Sequence, residues 1–266
     1  MAEKVDLYNT SYGNSEVDVY AEIRRETYGI DLGQTSWVSE GELAEIPRVL
    51  QISAASNVLE IGCGAGGCAL HFGATVGCRV TGIDVNAHGI RAAENSAHAQ
   101  QLAARVHFIQ HDAGALLPFP GDTFDAAYSN DAFCHIPNRL HLLRESRRVL
   151  KPGGLLLFSD ALVVNGPLTN EEIAARSSIG YYLFVPRGEN ETLIQEAGLT
   201  CLQSKDTSEQ AAAVSQRWRE ARARRTAALR KIEGEANFDG LQRFLGCVHT
   251  LTAEKRLARF VYVAGK

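Results

Sequence analysis

The sequence lacks several features that mark whole classes of protein. No stretch among its 266 residues approaches the ~18 uninterrupted apolar residues of a membrane-spanning helix. Its opening residues, MAEKVDLYNT, lack the basic-then-apolar pattern of a secretory signal. We therefore expect a cytoplasmic protein with no membrane partner.

Positive charge is also scarce. Lys and Arg number 27 against 31 Asp and Glu, which gives a net charge of −4. Proteins that bind a nucleic-acid backbone usually present a basic surface, so nucleic acid is not an expected partner. A basic stretch at residues 217–231 is interleaved with alanines and Glu220, and we expect it to be one solvated helix face.

Metal-ligating patterns are absent from the sequence. Its six cysteines are scattered, with no C-x-x-C pair and no H-E-x-x-H motif. We expect these cysteines to be small buried apolar side chains, and we expect no metal.

Short apolar runs alternate with helical stretches from Asn57 onward. The pattern predicts strands at 58–61, 80–84, 106–110, 124–129, 155–160, 199–206 and 259–264, with helices near 66–76, 88–101 and 139–150. Strands separated by helices of this length form parallel β-α-β units. We therefore expect an α/β fold with a seven-stranded, mostly parallel sheet and helices on both faces.

Two segments, at about 163–190 and 207–254, do not fit a minimal sheet. Each follows a strand, where α/β proteins place the elements that shape a ligand site, and we expect both to form a lid together with the N-terminal helices. The predicted organisation is a helical cap at 1–55, a core at 56–206 with a lid insertion near 163–190, a helical lid insertion at 207–254 and a final strand at 255–266.

A glycine-rich turn follows the first strand, in the run V-L-E-I-G-C-G-A-G-G at 58–67. Glycines permit a tight turn and the close approach of a ligand, and the helix that follows offers free N–H groups. The spacing satisfies G-x-G-x-x-G, which is typical of dinucleotide binding, and equally E-x-G-x-G-x-G beginning at Glu60. The turn alone does not choose between them.

Carboxylates close the next two strands. Asp84 ends the second strand, where a carboxylate can accept hydrogen bonds from ribose hydroxyls. Asp112 ends the third strand, where a carboxylate can accept from an adenine amino group. Both features are typical of an adenosine-binding site.

Two further motifs complete a recognisable set: F-D-x-x-x-S at 124–129 and L-K-P-G-G at 150–154. With them, residues 57–160 resemble the class I, Rossmann-like, S-adenosylmethionine-dependent methyltransferases. The resemblance implies S-adenosylmethionine as cofactor, with the glycine turn around its methionine part and the two carboxylates on its adenosine. The implied cofactor-binding residues are Glu60, Gly62, Gly64, Gly66, Asp84, Val85, Asp112, Ala113 and Ser129.

A polar cluster after the fourth and fifth strands supplies candidate catalytic residues. Methyl transfer needs an aligned nucleophile and a group that manages one proton, and histidine suits the second role at neutral pH. Asp131 and His135 are four residues apart, and Asp160 closes the fifth strand. We expect these three residues to be catalytic, although packing beneath the lid is an equal alternative for His135.

Within this class, the D-A-x-x-H segment is similar to that of phosphoethanolamine and sarcosine/dimethylglycine N-methyltransferases, and related turns occur in sugar O- and tocopherol C-methyltransferases. The resemblance implies a small-molecule acceptor, favours an amine nitrogen, and places N-terminal residues over the cofactor. Tyr12, Tyr20 and Tyr181 are the expected substrate contacts, and Gln34, Ser36 and Trp37 are further candidates for closure.

Several alternatives remain open at this level. Methyl transfer to an oxygen or a carbon atom of a natural-product, sugar or phenolic acceptor is the main alternative to transfer to an amine. A nicotinamide-dependent oxidoreductase is a remote alternative, and so is a cofactor-binding protein without transfer activity. We expect a monomer or a homodimer.

Overall fold

The structure, a computed structural model, describes residues 5–14 and 17–266. The helices are α1 (Tyr8–Gly13), α2 (Asp18–Tyr28), α3 (Glu40–Val49), α4 (Gly67–Thr75), α5 (Ala87–Ala99), α6 (Arg139–Val149), α7 (Asn170–Arg176), α8 (Glu189–Glu196), α9 (Ser208–Ala223), α10 (Thr226–Glu233) and α11 (Glu235–Ala253). The strands are β1 (Asn57–Ile61), β2 (Arg79–Asp84), β3 (Val106–Gln110), β4 (Phe124–Ser129), β5 (Leu150–Val164), β6 (Val185–Pro186), β7 (Thr200–Asp206) and β8 (Leu257–Gly265).

The strands form one mixed sheet in the order β3-β2-β1-β4-β5-β8-β7. Neighbours from β3 to β5 are parallel, and β8 runs antiparallel to both β5 and β7. The two-residue strand β6, which the sequence pattern did not predict, pairs with the end of β5. The predicted seven-stranded, mostly parallel α/β sheet is confirmed.

Strand β5 is longer than predicted. It begins at Leu150 and continues to Val164, whereas the apolar run alone indicated 155–160. Its register with β4 shifts between Phe124 and Ala126, so the Pro-Gly-Gly turn is absorbed as an irregularity instead of ending the strand. Helix α6 accordingly ends at Val149.

The sheet reverses its winding direction between β1 and β4. Strand β2 follows β1 on one side and β4 lies on the other, so the loops after β1 and β4 diverge. In open α/β sheets ligands bind in this crevice, outside the carboxyl ends of the strands. The topology therefore brings the glycine turn and the Asp131 loop together at one cleft.

Helices from the two ends of the chain pack together beside the sheet. Trp37, Trp218 and Phe244 form an aromatic group there, with ring centroids 5.8 and 6.2 Å apart. Together with residues from α2, α9 and α11 they build a separate apolar cluster. None of the described helices is long and apolar enough to cross a membrane.

The basic stretch at 217–231 is not a single solvated face, so that expectation is wrong. Arg222 is buried and pairs with Glu233 at 2.6 Å. Arg224 and Arg225 reach Glu26 on α2, and Arg225 also pairs with Glu22. These arginines join the C-terminal helices to the N-terminal cap.

Candidate active site

A cavity of about 390 Å³ lies at the carboxyl ends of β1, β2 and β4. The glycine turn forms its floor, and the N-terminal residues, the segment after α2 and the segment after α7 form its walls. The wall residues are Leu7, Tyr8, Tyr12, Leu32 to Trp37, and Ile179 to Tyr182. Residues from the predicted cap and lid thus enclose the cleft.

The glycine turn leaves no room for side chains. Gly62, Gly64 and Gly66 all have positive φ, at 76°, 53° and 78°. A Cβ atom on Gly64 would lie 2.6 Å from the Tyr12 hydroxyl, and one on Gly66 would overlap Phe108. Packing against Tyr12 and Phe108 therefore requires glycine here, and the bare backbone of Gly62 and Gly64 borders the cavity.

Asp84 is positioned by the turn that it faces. Its Oδ2 accepts from the Gly64 N–H at 2.8 Å, and its Oδ1 accepts from the Asn86 N–H at 2.8 Å. Burial raises the pKa of this carboxyl, and the two peptide hydrogen bonds partly offset that rise. Asp84 borders the cavity, and each of its oxygens retains capacity for a hydroxyl donor, as expected for a ribose.

Glu60 is a buried carboxylate with an unused acceptor at the floor of the cavity. Its Oε2 has no hydrogen-bond partner, and burial raises its pKa to about 8. An ammonium group beside it would stabilise the charged form and satisfy that oxygen. This fits the expected position of the amino group of S-adenosylmethionine.

The predicted adenine end is open and partly apolar. Val85 is 67% exposed at the cavity edge although it is a large apolar residue. Ala113 borders the same end, and Asp112 accepts from the Gly114 N–H at 2.8 Å through Oδ1. An adenine ring could cover Val85 while its amino group meets Asp112.

Ser129 and Asp160 do not reach the cavity. The Ser129 hydroxyl donates to the Ile61 carbonyl at 2.8 Å, and Asn130 takes the lining position after it. Asp160 is fully buried in a 2.6 Å ion pair with Arg139 and also accepts from Asn190. Because both carboxylate oxygens of Asp160 are engaged inside the protein, its geometry is that of a structural ion pair and not of a catalytic group.

Asp131 borders the cavity, but its carboxylate is already fully engaged. Oδ1 accepts from the Ser159 hydroxyl at 2.9 Å and from Arg259 at 2.8 Å, and Oδ2 accepts from the Trp37 N–H at 2.8 Å. Arg259 also binds Glu42. The carboxylate therefore holds the walls of the site together, which leaves little capacity for an acceptor.

His135 lies in a defined hydrogen-bond chain. Its Nδ1 is 2.9 Å from the Tyr181 carbonyl, which can only accept, so Nδ1 carries the proton. Nε2 then accepts from the Tyr8 hydroxyl at 2.8 Å. Burial lowers the pKa of His135 to about 4, so the ring is uncharged at neutral pH.

The three predicted substrate tyrosines separate in the fold. Tyr12 and Tyr181 border the cavity, whereas the Tyr20 hydroxyl donates to Glu233 at 2.7 Å, away from the cavity. Sequence reasoning missed Tyr8 and Tyr182, which flank His135 with ring centroids 5.5 and 4.3 Å away. The one available signal was the spacing of Tyr8 and Tyr12, which puts them on one helix face.

Comparison with known proteins bears on this geometry. Residues 59–158 match the family described as a methyltransferase domain. The 27-O-demethylrifamycin SV methyltransferase of Amycolatopsis mediterranei is 29% identical over 204 residues, which cover 72% of this chain and 75% of that enzyme.

Two solved structures share the fold. A putative sarcosine dimethylglycine methyltransferase from Galdieria sulphuraria has a TM-score of 0.76 at 19% identity, covering 84% of this chain and 82% of that one. Phosphoethanolamine N-methyltransferase 2 of Haemonchus contortus, with phosphomonomethylethanolamine and S-adenosylhomocysteine, has a TM-score of 0.81 at 21% identity, covering 97% of this chain and 60% of that one. Residues 59–158 therefore match a methyltransferase domain, and the chain shares the Rossmann-like fold of these two enzymes.

Proposed function

We propose that this protein transfers a methyl group from S-adenosylmethionine to a hydroxyl oxygen of a small-molecule acceptor. The observation that carries the proposal is the Tyr8–His135 pair at the cavity wall, with an uncharged imidazole accepting from a tyrosine hydroxyl. The proposal is also supported by the rifamycin relative, whose name describes an O-methyl transfer.

S-adenosylmethionine supplies a methyl group on a positively charged sulfur, which makes that carbon open to displacement. The contribution of the protein is then to hold the acceptor in line, exclude water and remove one proton. Tyr8, Tyr182 and Trp37 provide an apolar wall for the acceptor. The cofactor end is defined by Glu60 and Asp84 on the other side of the cavity.

Proton removal is proposed to run through two side chains. An acceptor hydroxyl beside Tyr8 donates to the Tyr8 oxygen as Tyr8 donates to Nε2 of His135. The Tyr181 carbonyl, bound to Nδ1–H, stabilises the imidazolium that forms. Asp131 serves as a positioning residue, because its oxygens bind Arg259 and the Trp37 backbone.

An amine acceptor is the second candidate. It is supported by the N-methyltransferases among the structural neighbours and by the D-A-x-x-H segment. It needs a carboxylate free to hold or deprotonate an ammonium group, however, and Asp131 and Asp160 are both engaged with arginines. The charge balance of the site therefore favours oxygen.

A screen with methyl-labelled S-adenosylmethionine tests this proposal. Acceptors are supplied in pairs that differ only in the nucleophile, such as a phenol with its aniline and a cyclic alcohol with its amine. We expect label on the hydroxyl members. Transfer only to amines, or only to a carbon atom, contradicts the proposal.

The Tyr8→Phe variant tests whether the Tyr8 hydroxyl is needed for proton transfer and not for cofactor binding. We expect turnover to fall by about 10²-fold, as for loss of a proton-transfer group, with unchanged affinity for S-adenosylhomocysteine. Tyr262→Phe is the matched control, because it removes a hydroxyl buried on β8 outside the cavity lining. Equal turnover in the two variants excludes the relay.

A further inference from the structure

Arg176 is a buried cation without a carboxylate partner. It ends α7, its side chain is 1% exposed, and its Nη1 has no hydrogen-bond partner. Among the described residues, no Asp or Glu lies within ion-pair distance of its guanidinium. A charge removed from water is costly unless an anion or several hydrogen bonds compensate for it.

Aromatic rings surround the guanidinium instead. Its central carbon lies 4.4 Å from the ring centroid of Tyr182, 5.2 Å from Phe244 and 5.9 Å from Trp37. Cation–π contacts of this kind offset part of the cost of burial. They leave the positive charge itself unneutralised.

The acids nearest this region already have cations of their own. Asp131 and Glu42 share Arg259, and Asp160 pairs with Arg139. Glu172, one helical turn before Arg176, pairs with Arg256. None of the acids in residues 5–14 and 17–266 is therefore left to neutralise Arg176.

The charge lies next to the acceptor end of the cavity. Two of its three aromatic neighbours, Trp37 and Tyr182, line that cavity, together with His135 and Cys134. Arg176 acts electrostatically on His135 and on Tyr182. The positive charge of Arg176 therefore acts on groups that line this end of the cavity.

We propose that Arg176 selects acceptors that carry an anionic oxygen, a carboxylate or a phenolate, and that this oxygen lies at the Trp37–Tyr182 end of the cavity. This inference deepens the proposed function and rests on it. A phenolate here would itself be a strong nucleophile, whereas a carboxylate would anchor an acceptor whose hydroxyl reacts at Tyr8. A cationic amine would be repelled.

Equilibrium binding to the protein loaded with S-adenosylhomocysteine provides the test. The probes are benzoate, 4-nitrophenolate and the neutral isostere benzamide, each titrated by calorimetry. We expect at least one anion to bind ~10-fold or more tightly than benzamide, a difference of about 1.4 kcal/mol. Which anion it is separates carboxylate from phenolate recognition.

Variants of Arg176 identify the source of that preference. Arg176→Gln should abolish the difference between anion and amide, and Arg176→Lys should retain part of it. Arg176→Met, which replaces the charge with a flexible apolar chain, should behave like the Gln variant. For a transferred anionic acceptor, the Gln variant should raise KM more than it lowers kcat.

Two outcomes overturn the inference. One is equal or absent binding of all three probes to the wild-type protein, which needs no variant to fold. The other is an anion preference that survives in Arg176→Gln, since Arg176 would then be only a packing element. If the first outcome is found together with methyl transfer to neutral hydroxyls, the proposed function still stands.

Discussion

At the scale of single residues, four carboxyl groups in or just after the strands of the sheet have different surroundings. Asp84 binds only peptide N–H groups and faces the cavity, and Glu60 keeps a free oxygen there. Asp131 and Asp160 are instead paired with buried arginines. The residue type is the same in three of them, so the partners decide whether a carboxylate can serve a ligand.

Replacing Asp84 should weaken cofactor binding. Asp84→Asn keeps the shape but replaces one charged acceptor by an amide, and a charge-assisted hydrogen bond is worth about 1.5–3 kcal/mol. We expect the Kd for S-adenosylhomocysteine, measured by calorimetry, to rise at least ~10-fold. Asp122→Asn, at an exposed turn that pairs with Lys266, is the control. Equal Kd values in the two variants would remove Asp84 from the binding site.

His135 should make stability fall in mild acid. Its pKa is lowered from 6.5 to about 4, so the unfolded chain binds more protons between these values. This burial effect is absent above pH 6.5 and grows as the pH falls, reaching about 2 kcal/mol near pH 5. Denaturant unfolding of the wild type and His135→Gln, near neutral pH and near pH 5, measures it. We expect the wild type to lose more unfolding free energy than His135→Gln between neutral pH and pH 5. Equal losses in the two proteins would contradict a buried, neutral imidazole.

At the scale of elements, the turn from β1 to α4 is defined by backbone geometry and by its neighbours. Gly62 and Gly153 have nearly the same φ, at 76° and 77°. A Cβ on Gly62 would overlap the Ala132 side chain, while a Cβ on Gly153 would meet nothing within 4 Å. An added side chain would therefore be strained at both positions, but it would clash with a neighbour only at Gly62.

Alanine at these two positions should have unequal effects. Gly153→Ala adds only the cost of a left-handed residue, about 1–2 kcal/mol. Gly62→Ala adds that cost and a clash between the glycine turn and the β4 loop, so it should be more destabilising and should also impair S-adenosylhomocysteine binding. Thermal unfolding and calorimetry measure both effects. Similar losses of stability, with binding intact in both, would show that the turn adapts.

The bounds of individual strands show where prediction from the sequence pattern succeeded. The predicted bounds of β3 and β4 agree with the structure, because each is a short apolar run between polar turns. The bounds of β5 were wrong at both ends, since the strand runs from Leu150 to Val164. Its start was missed because Pro152 to Gly154 look like a turn and the sequence does not show the register shift. Strand β6 is too short to carry a pattern.

At the scale of the whole molecule, Arg259 joins three distant parts of the chain. From β8 it binds Asp131 after β4, Glu42 on α3 and Thr207 before α9. It is fully buried, and Glu42 also closes the capping box of α3. The cap, the core and the C-terminal helices therefore share one ionic centre.

Replacing Arg259 should lower the free energy of unfolding substantially. Arg259→Met leaves the Asp131 carboxylate buried without its cation, and loss of one partner of a buried pair costs about 3–5 kcal/mol. Arg256→Met, which breaks a partly exposed pair with Glu172, should cost much less, because surface ion pairs contribute little to stability. Denaturant unfolding compares the two variants. Equal losses would mean that the Arg259 network is not a determinant of stability.

Local periodicity and the spacing within short motifs were enough to predict the parallel sheet, the glycine turn and the resemblance to methyltransferases. The tertiary structure alone decided which polar groups remain available. Arg259 and Asp131 are 128 residues apart, and Tyr8 and His135 are 127 apart. The role of a carboxylate or an imidazole depends on the charges and donors that the fold brings against it, and that information is not carried by neighbouring residues in the chain.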